Sequence, residues 1–211
     1  MTQLEQPTGT RERLEATVRK AQASDHAALV SALARAFDDD PFVNWMAAQD
    51  RRRARRVYDA IALSLRITAP HGEVYTTDGV QGGALWEPPG KWKLGLLQQA
   101  LLAPQLARVA TWPRMPRVLA GINAVDSKHP KVPHYYLFEL GVDTEFQGRG
   151  LGSQLMRPVL EKCDRERVPA YLESSKEKNV PLYERNGFKV TEVFRVPNGG
   201  PPLWLMWREP A

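Results

Sequence analysis

The sequence contains little of what several protein classes require. One cysteine among 211 residues excludes an internal disulfide and any multi-cysteine metal site. No apolar run approaches the roughly 20 residues of a membrane span, and the polar stretch Met1 to Arg13 lacks the apolar core of a signal peptide. The few histidines form no zinc-type pattern: His26, His71, His129 and His134. We therefore expect a cytoplasmic protein with no metal and no membrane partner.

The distribution of charge bears on whether the protein binds nucleic acid. The formal net charge is +5, and the basic surplus lies between Pro88 and Lys131, where Asp126 is the one acid. The segment contains no dense basic run and no nucleic-acid-binding motif, so we predict a solvated helical face and no nucleic-acid partner. The basic residues counted there are Lys91, Lys93, Arg108, Arg114, Arg117, Lys128 and Lys131.

A strand, a glycine-rich loop and a helix follow one another in the second half of the chain. The strand is the β-branched and aromatic run Tyr135 to Val142. The loop reads Gln-Gly-Arg-Gly-Leu-Gly over residues 147–152, and a helix is predicted over about 150–167. Free backbone N–H groups and the positive end of that helix would then face one spot, which suits a phosphate group. The helix has apolar residues at helical spacing: Leu151, Leu155, Val159 and Cys163.

The loop alone permits other interpretations. A nucleotide-hydrolysing P-loop needs a lysine before its Ser or Thr, and none precedes Ser153. A dinucleotide-binding loop opens a long series of βαβ units, and too little chain follows Gly152 for that. A glycine-rich turn without any ligand remains open on these residues.

Two motifs resemble the GNAT superfamily of N-acetyltransferases. Gln147, Gly150 and Gly152 match that family's acetyl-CoA pyrophosphate loop. The segment Asn179 to Phe188 has an asparagine, a tyrosine and a Gly-Phe pair in the same order as the family's second signature. Within the superfamily, residues 129–134 and 168–175 look most like puromycin N-acetyltransferase and its uncharacterised relatives. The close resemblance covers about residues 127–208.

The resemblance implies a fold, a reaction and a set of acetyl-CoA contacts. The fold is α/β (α+β): a mixed, mostly antiparallel sheet, splayed at the acetyl-CoA cleft and flanked by helices on both faces. The reaction is direct acetyl transfer to the primary amine of a small molecule, either antibiotic-like or an aminonucleoside. The residues implied for acetyl-CoA are Leu140, Gly141, Val142, Gln147, Gly148, Arg149, Gly150, Leu151, Gly152, Ser153, Asn179 and Tyr183.

The resemblance also implies catalytic roles. Tyr183 would donate a proton to the departing sulfur, since a tyrosine stays protonated at neutral pH; packing of its helix is the alternative. The base would be Glu139 or Glu173, directly or through water, and the Leu-Glu-Ser-Ser sequence favours Glu173. Either carboxylate could instead bind a cationic acceptor or cap a loop. Cys163 lies on the apolar helix face and is predicted to be core.

The remaining sequence completes the predicted organisation. Residues 1–13 are predicted to be a flexible tail and residues 14–211 one N-acetyltransferase domain. Asp78-Gly79 suits a tight primed turn between two strands. A helical insertion at about 90–126 is predicted to be cut by its prolines, Pro104, Pro113 and Pro116. Its large apolar residues either pack the insertion onto the sheet or line the acceptor pocket: Trp92, Trp112 and Met115.

Two other functions remain open on the sequence. One is acetylation of a protein lysine or N-terminus, against which the insertion argues because extra helices tend to enclose a pocket. The other is a non-catalytic acyl-CoA sensor, against which the intact Tyr183 and the loop 147–152 argue.

Overall fold

Seven strands form a single sheet in the computed structural model, which describes residues 12–211. The order across the sheet is β1-β2-β3-β4-β5-β7-β6, and only β4 and β5 pair in parallel. The strands are β1 (Val18–Lys20), β2 (Val74–Thr77), β3 (Gly82–Glu87), β4 (Tyr135–Val142), β5 (Ala170–Ser174), β6 (Lys189–Arg195) and β7 (Pro202–Arg208). The predicted mixed, mostly antiparallel sheet is confirmed.

Helices cover both faces of the sheet. They are α1 (His26–Ala36), α2 (Pro41–Met46), α3 (Arg53–Thr68), α4 (Leu96–Ala110), α5 (Met115–Lys128), α6 (Leu151–Glu166) and α7 (Val180–Glu184), with short 3-10 turns between several of them. One face packs on α6 and the other on α1 and α3, each through its own apolar core. None of these helices has the length and apolarity needed to cross a lipid bilayer.

The central strand β4 leaves its neighbour β5 halfway along. The two strands pair from Tyr135 to Leu137 only, and the last partner on β5 is Leu172. Beyond that point β4 pairs only with β3, where the register shifts between Leu85 and Trp86. This β-bulge leaves Phe138 as the extra residue, and a bulge changes the face on which the following side chains lie. A gap therefore opens between the second half of β4 and the end of β5.

The predicted insertion consists of α4 and α5, which lie between β3 and β4. Pro104 does not cut it, because α4 continues through that residue. Pro113 and Pro116 lie in the break between the two helices and in the first turn of α5, where a missing N–H is tolerated. The second helix packs closely on Trp45, since a Cβ on Gly121 would come within 2.2 Å of that indole ring.

Two further details differ from the sequence-based predictions. The Asp78-Gly79 turn is not a primed turn: Val80 donates to the Thr77 carbonyl and has the positive φ, 49°. Trp112 is 69% exposed, so it does not pack the insertion onto the sheet. Most of the predicted tail, residues 1–11, lies outside the described residues.

Candidate active site

The gap between β4 and β5 brings the two predicted carboxylates to one side of the sheet. Glu173 is the first residue of β5 beyond its last pairing with β4. Glu139 follows the bulge on β4, which turns it away from the α6 face occupied by Leu137 and Leu140. Glu139 instead lies near Ser64 of α3. Both carboxylates therefore lie at the mouth of the gap, on the face opposite α6.

The glycine-rich loop lies at the far end of β4. Gly148 and Gly150 have positive φ angles of 77° and 85°, which favour glycine. Gly150 is the N-cap of the 16-residue helix α6 and makes no side-chain cap bond. The first-turn N–H groups of α6 thus lack a side-chain acceptor at this cap, and the helix dipole places positive potential there.

Neighbouring segments fix the shape of this loop. The Gln147 amide donates to the Val142 carbonyl at 2.9 Å. The Arg149 guanidinium donates to the Glu12 carbonyl at 3.1 Å. At the start of α6, Ser153 Oγ accepts from Asn186 Nδ2 at 2.9 Å, and a Cβ on Gly152 would approach Leu182 to 3.2 Å. Loop, α6 and α7 are therefore packed closely, and a larger residue at 152 would require the Leu182 side chain to shift.

Tyr183 lies in α7 and is buried in the core that α6 shares with the sheet. Its ring contacts Phe188 edge to face at 6.2 Å between centroids. Burial raises the pKa of Tyr183 above its usual value, and the charge of Asp40 raises it further. The hydroxyl is thus protonated at neutral pH, as a proton donor must be. Asn179 lies at the N-cap of the same helix and makes no side-chain cap bond.

Asp40 is a site residue that the sequence interpretation missed. It is buried at the N-cap of α2, where Oδ1 accepts from the N–H groups of Phe42 and Val43, both at 2.9 Å. Its other oxygen accepts from Ser175, just past β5. Its charge raises the pKa of both Tyr183 and Glu139, which places it near the two. The available signal was an aspartate directly before a proline, a common helix start.

Glu139 is a desolvated carboxyl. Its Oε2 atom is enclosed and has no hydrogen-bond partner. Burial raises the pKa of Glu139 to about 8, with Asp40 adding to the shift and Ser64 opposing it. Glu139 is therefore mostly protonated at pH 7 and becomes a proton acceptor only as the pH approaches 8.

Glu173 has different surroundings. Its carboxylate lies 3.6 Å from Nδ1 of His129, and both side chains are buried. Burial raises the pKa of the Tyr136 and Tyr171 hydroxyls, and Glu173 raises it further. These tyrosines stay protonated, so they are potential hydrogen-bond donors toward the carboxylate. The tyrosines and His129 thus form a polar lining for Glu173 on the acceptor side of the sheet.

The described residues support neither a cysteine nucleophile nor a metal-binding group. Cys163 is fully buried, and burial raises the pKa of its thiol to about 12, so it is not a nucleophile at neutral pH. Nowhere within residues 12–211 do three or more His, Cys, Asp or Glu side chains gather as a metal-binding group.

The raised pKa of Glu139 predicts a pH-dependent stability. The fold favours the protonated carboxyl, so Glu139 is harmless below its unfolded pKa of 4.5. It destabilises the fold increasingly as the pH rises from 4.5 to about 8, and the loss levels off above that pH. Relative to Glu139→Gln, the wild type should lose about 1–3 kcal/mol of unfolding free energy between about pH 5 and 8.5. Denaturant titrations of both proteins at each pH measure this difference, and a constant difference would contradict the assignment.

Comparisons with known proteins agree with this geometry. The profile of the acetyltransferase (GNAT) family matches residues 73–188. An uncharacterized N-acetyltransferase of Schizosaccharomyces pombe is 27% identical over 207 residues, which cover 91% of this chain and 83% of that protein.

Solved structures show the same fold. One from Corynebacterium glutamicum, described as histone acetyltransferase HPA2 and related acetyltransferase, superposes with a TM-score of 0.70 at 22% identity and covers 94% of this chain and 98% of that one. The Drosophila melanogaster polyamine N-acetyltransferase superposes with a TM-score of 0.62 at 16% identity, and the match covers 92% of this chain and 100% of that one. An agmatine N-acetyltransferase superposes with a TM-score of 0.64 at 16% identity, and the match covers 92% of this chain and 98% of that one. Since the profile spans more than half of the sequence and includes the glycine loop and Tyr183, this chain belongs to the GNAT family of acetyltransferases.

Proposed function

We propose that this acetyltransferase moves an acetyl group from acetyl-CoA directly to the primary amine of a small molecule, of the aminonucleoside or antibiotic-like kind that puromycin N-acetyltransferase accepts. One observation carries the proposal. The gap between β4 and β5 begins beside Glu139 and Glu173, and β4 runs from there to the glycine loop. GNAT enzymes use acetyl-CoA as co-substrate, so a single molecule lying along this gap would bring its phosphates and its thioester to these two ends.

The residues at the loop fit a pyrophosphate. Gly148 and Gly150 keep side chains away from the backbone, and the α6 N-terminus offers N–H donors with no side-chain cap at Gly150. Along β4, residues 138–142 have no partner strand on the β5 side, which leaves backbone groups for the pantetheine arm. We assign Leu140, Gly141 and Val142 to that contact, and Asn179 to the orientation of the arm.

The reaction requires two proton movements, and the chain has a group for each. As the acceptor nitrogen bonds to the acetyl carbon and the carbon–sulfur bond breaks, nitrogen loses a proton and sulfur gains one. Tyr183 is the donor to sulfur, since burial and Asp40 keep its hydroxyl protonated. Glu173 is the better acceptor near pH 7, because Glu139 is then mostly protonated.

The acceptor side favours a compact cationic amine. Glu173 and, as the pH approaches 8, Glu139 provide carboxylates beside the gap, and α4 and α5 add helices between β3 and β4. Trp92 contributes an aromatic wall beside Glu173 through its contact with His129. The two structural relatives named for agmatine and polyamine acetylation act on small amines, which supports this class. Acetylation of a peptide amine is the competing function.

A thiol-release assay tests the proposal. With acetyl-CoA and a panel of small primary amines that includes aminonucleosides and polyamines, we expect free thiol to appear with at least one amine, and an equal amount of N-acetylated product by mass spectrometry. A matched panel of lysine-containing and free-N-terminus peptides should react at least about tenfold more slowly. Faster turnover with peptides would make the chain a protein acetyltransferase, and no turnover with either panel would favour a sensor.

The loop assignment predicts the effect of a charge at residue 150. Acetyl-CoA at 100 times its Kd should raise the melting temperature of the wild type by about 5–10 °C. Gly150→Glu places a carboxylate where the phosphates would bind and should abolish this shift.

A matched control separates the charge from backbone strain. Gly72 has a similar positive φ of 70°, open space around it, and a position between α3 and β2 at the other end of the sheet. Gly72→Glu should be destabilised by comparable strain but keep the full acetyl-CoA shift. Normal acetyl-CoA binding by Gly150→Glu would overturn the loop assignment.

The role of Tyr183 predicts a loss of turnover without a loss of binding. Tyr183→Phe removes one oxygen and keeps the ring in the core, so the fold should persist. Because the hydroxyl acts mainly as charge develops on sulfur, kcat should fall roughly 10²-fold while the Kd for acetyl-CoA changes little. Stopped-flow turnover and calorimetric binding measure the two effects. A fall of less than about threefold, with chemistry rate-limiting, would assign the proton to water or another group.

A further inference from the structure

A pair of buried histidines lies directly behind Glu173. His129 follows the last turn of α5 and His134 precedes β4; they are 6% and 2% exposed. Their Nε2 atoms are 2.9 Å apart. His134 Nδ1 lies 2.6 Å from the Val132 carbonyl, and His129 Nδ1 lies 3.6 Å from Glu173 Oε1. Carboxylate, imidazole and imidazole thus form one continuous row, which we call the Glu173 array.

Hydrogen-bond rules determine how many protons this row carries. A carbonyl oxygen only accepts, so His134 Nδ1 carries a proton and donates to Val132. In neutral His134 the Nε2 atom then has a lone pair, and His129 Nε2 must donate to it. His129 Nδ1 then carries no proton, and its lone pair faces the Glu173 carboxylate. The geometry therefore provides a place for one additional proton, between Glu173 Oε1 and His129 Nδ1.

The surroundings of the array favour movement of that proton. Burial lowers the pKa of His134, although the Val132 carbonyl and Glu173 oppose the shift, so His134 is neutral and able to accept from His129. The ring of Trp92 stacks on His129 at 3.7 Å between centroids, and Tyr136 and Tyr171 contact His129 edge to face at 4.7 and 4.9 Å.

Charged groups from two other segments, α5 and the chain before α4, act near the array. Asp126 of α5 interacts with both His129 and Glu173, and burial raises its pKa; Lys93, next to Trp92, counteracts part of that shift. On the β7 side, His134 contacts the neutral ring of Trp207. Glu192 of β6 acts on Tyr171, and Glu209 accepts from the Trp207 ring N–H. Asp126 is the acid that acts on His129 itself, and when ionised it stabilises a positive charge there.

We propose that the amine proton is taken up by the Glu173 array as a unit, with His129 and His134 as positioning residues that make Glu173 a more effective base. This inference rests on the proposed function of the site. The N–H bond of the acceptor breaks, its electron pair stays on nitrogen, and the proton passes to Glu173 and comes to rest between Glu173 and His129. Donation from His129 to His134 spreads the resulting positive charge along the row.

The array joins the insertion to the chemistry. His129 is the C-cap of α5, and Trp92 lies just before α4, so both ends of the insertion contact the row. The helices thus do more than cover the acceptor side: their connections hold the imidazole against Glu173.

A pH–rate profile with three variants tests the array. In the wild type, kcat/KM for the best amine of the panel should rise with pH on the acidic side of the profile, because a base must lose its proton. We call this rise the acid limb. Glu173→Gln and His129→Gln each remove a titrating member and should each lower the neutral-pH rate about 10²-fold and abolish that limb. The double variant should be no more than about threefold worse than either single variant, because groups acting as a unit are not additive. His134→Gln keeps a hydrogen-bonding amide and should move the limb toward higher pH.

Glu161→Gln is the matched control, an exposed carboxylate on α6, which packs on the opposite face of the sheet. It should keep the acid limb of the wild type. Loss of the limb in Glu161→Gln, or an unchanged limb in His129→Gln, would overturn the proposal. Melting temperature and the Kd for acetyl-CoA should stay near wild type in all variants, which separates the array from a purely structural role.

Imidazole NMR provides a readout that does not depend on turnover. Long-range 1H–15N spectra of the wild type should show His134 as the neutral Nδ1–H tautomer and His129 protonated at Nε2. The titration of His129 should shift in Glu173→Gln. If no amine is acetylated but these spectra appear as expected, the proposed function fails and the array's proton site stands. If amines are acetylated but His129 does not respond to Glu173→Gln, the array fails alone.

Discussion

The separation of β4 from β5 after Leu137 is the constraint on which the rest of the site depends. A parallel pair that continued to the strand ends would satisfy its backbone groups and close the sheet. Here the pairing with β5 ends beside the bulge at Phe138, and the second half of β4 pairs with β3 alone. Backbone groups along the open edges need partners from water or from a ligand. The bulge also turns Glu139 to the acceptor face, so the irregularity of β4 lies at the gap and shapes part of its lining.

The loops around the gap are connected by polar contacts. Asp39 binds Lys176 and Lys178, and Asp40 binds Ser175, so the α1–α2 connection is tied to the β5–α7 connection. The exposed ion pairs of Asp39 contribute little to stability. Asp40 differs because it is buried, caps α2 and acts electrostatically on Tyr183 and Glu139. Its position links the shape of the acceptor side to the protonation of the groups proposed for catalysis.

The sequence predicts features that depend on neighbouring residues better than features that depend on residues far apart in the chain. The strand, glycine loop and helix at 135–166 are local features, so residue patterns predict them well. Pro104 was misjudged because the packing of α4 on α3 and α5 maintains the helix despite a missing N–H. The prediction of a primed turn at Asp78-Gly79 was wrong because the positive φ falls on Val80, and valine seldom adopts a positive φ.

Contacts between distant parts of the chain were beyond prediction from patterns. Asp40 and Ser175 are 135 residues apart in sequence, and nothing local signals their contact. The pairing of His129 with His134 is visible as spacing, but its position behind Glu173 depends on how β4 and β5 align. Trp92 and Trp112 look equivalent in the sequence, yet one stacks on His129 and the other faces solvent.

The most direct test of the account is a crystal structure of the protein with bound CoA thioester. Our account predicts the pyrophosphate against the N–H groups of residues 148–152, the pantetheine arm along residues 140–142, and the sulfur about 3–4 Å from the Tyr183 hydroxyl. It also predicts the acetyl group on the side of the gap that contains Glu173. A CoA molecule bound outside the β4–β5 gap, or a sulfur atom more than about 6 Å from Tyr183, would contradict it.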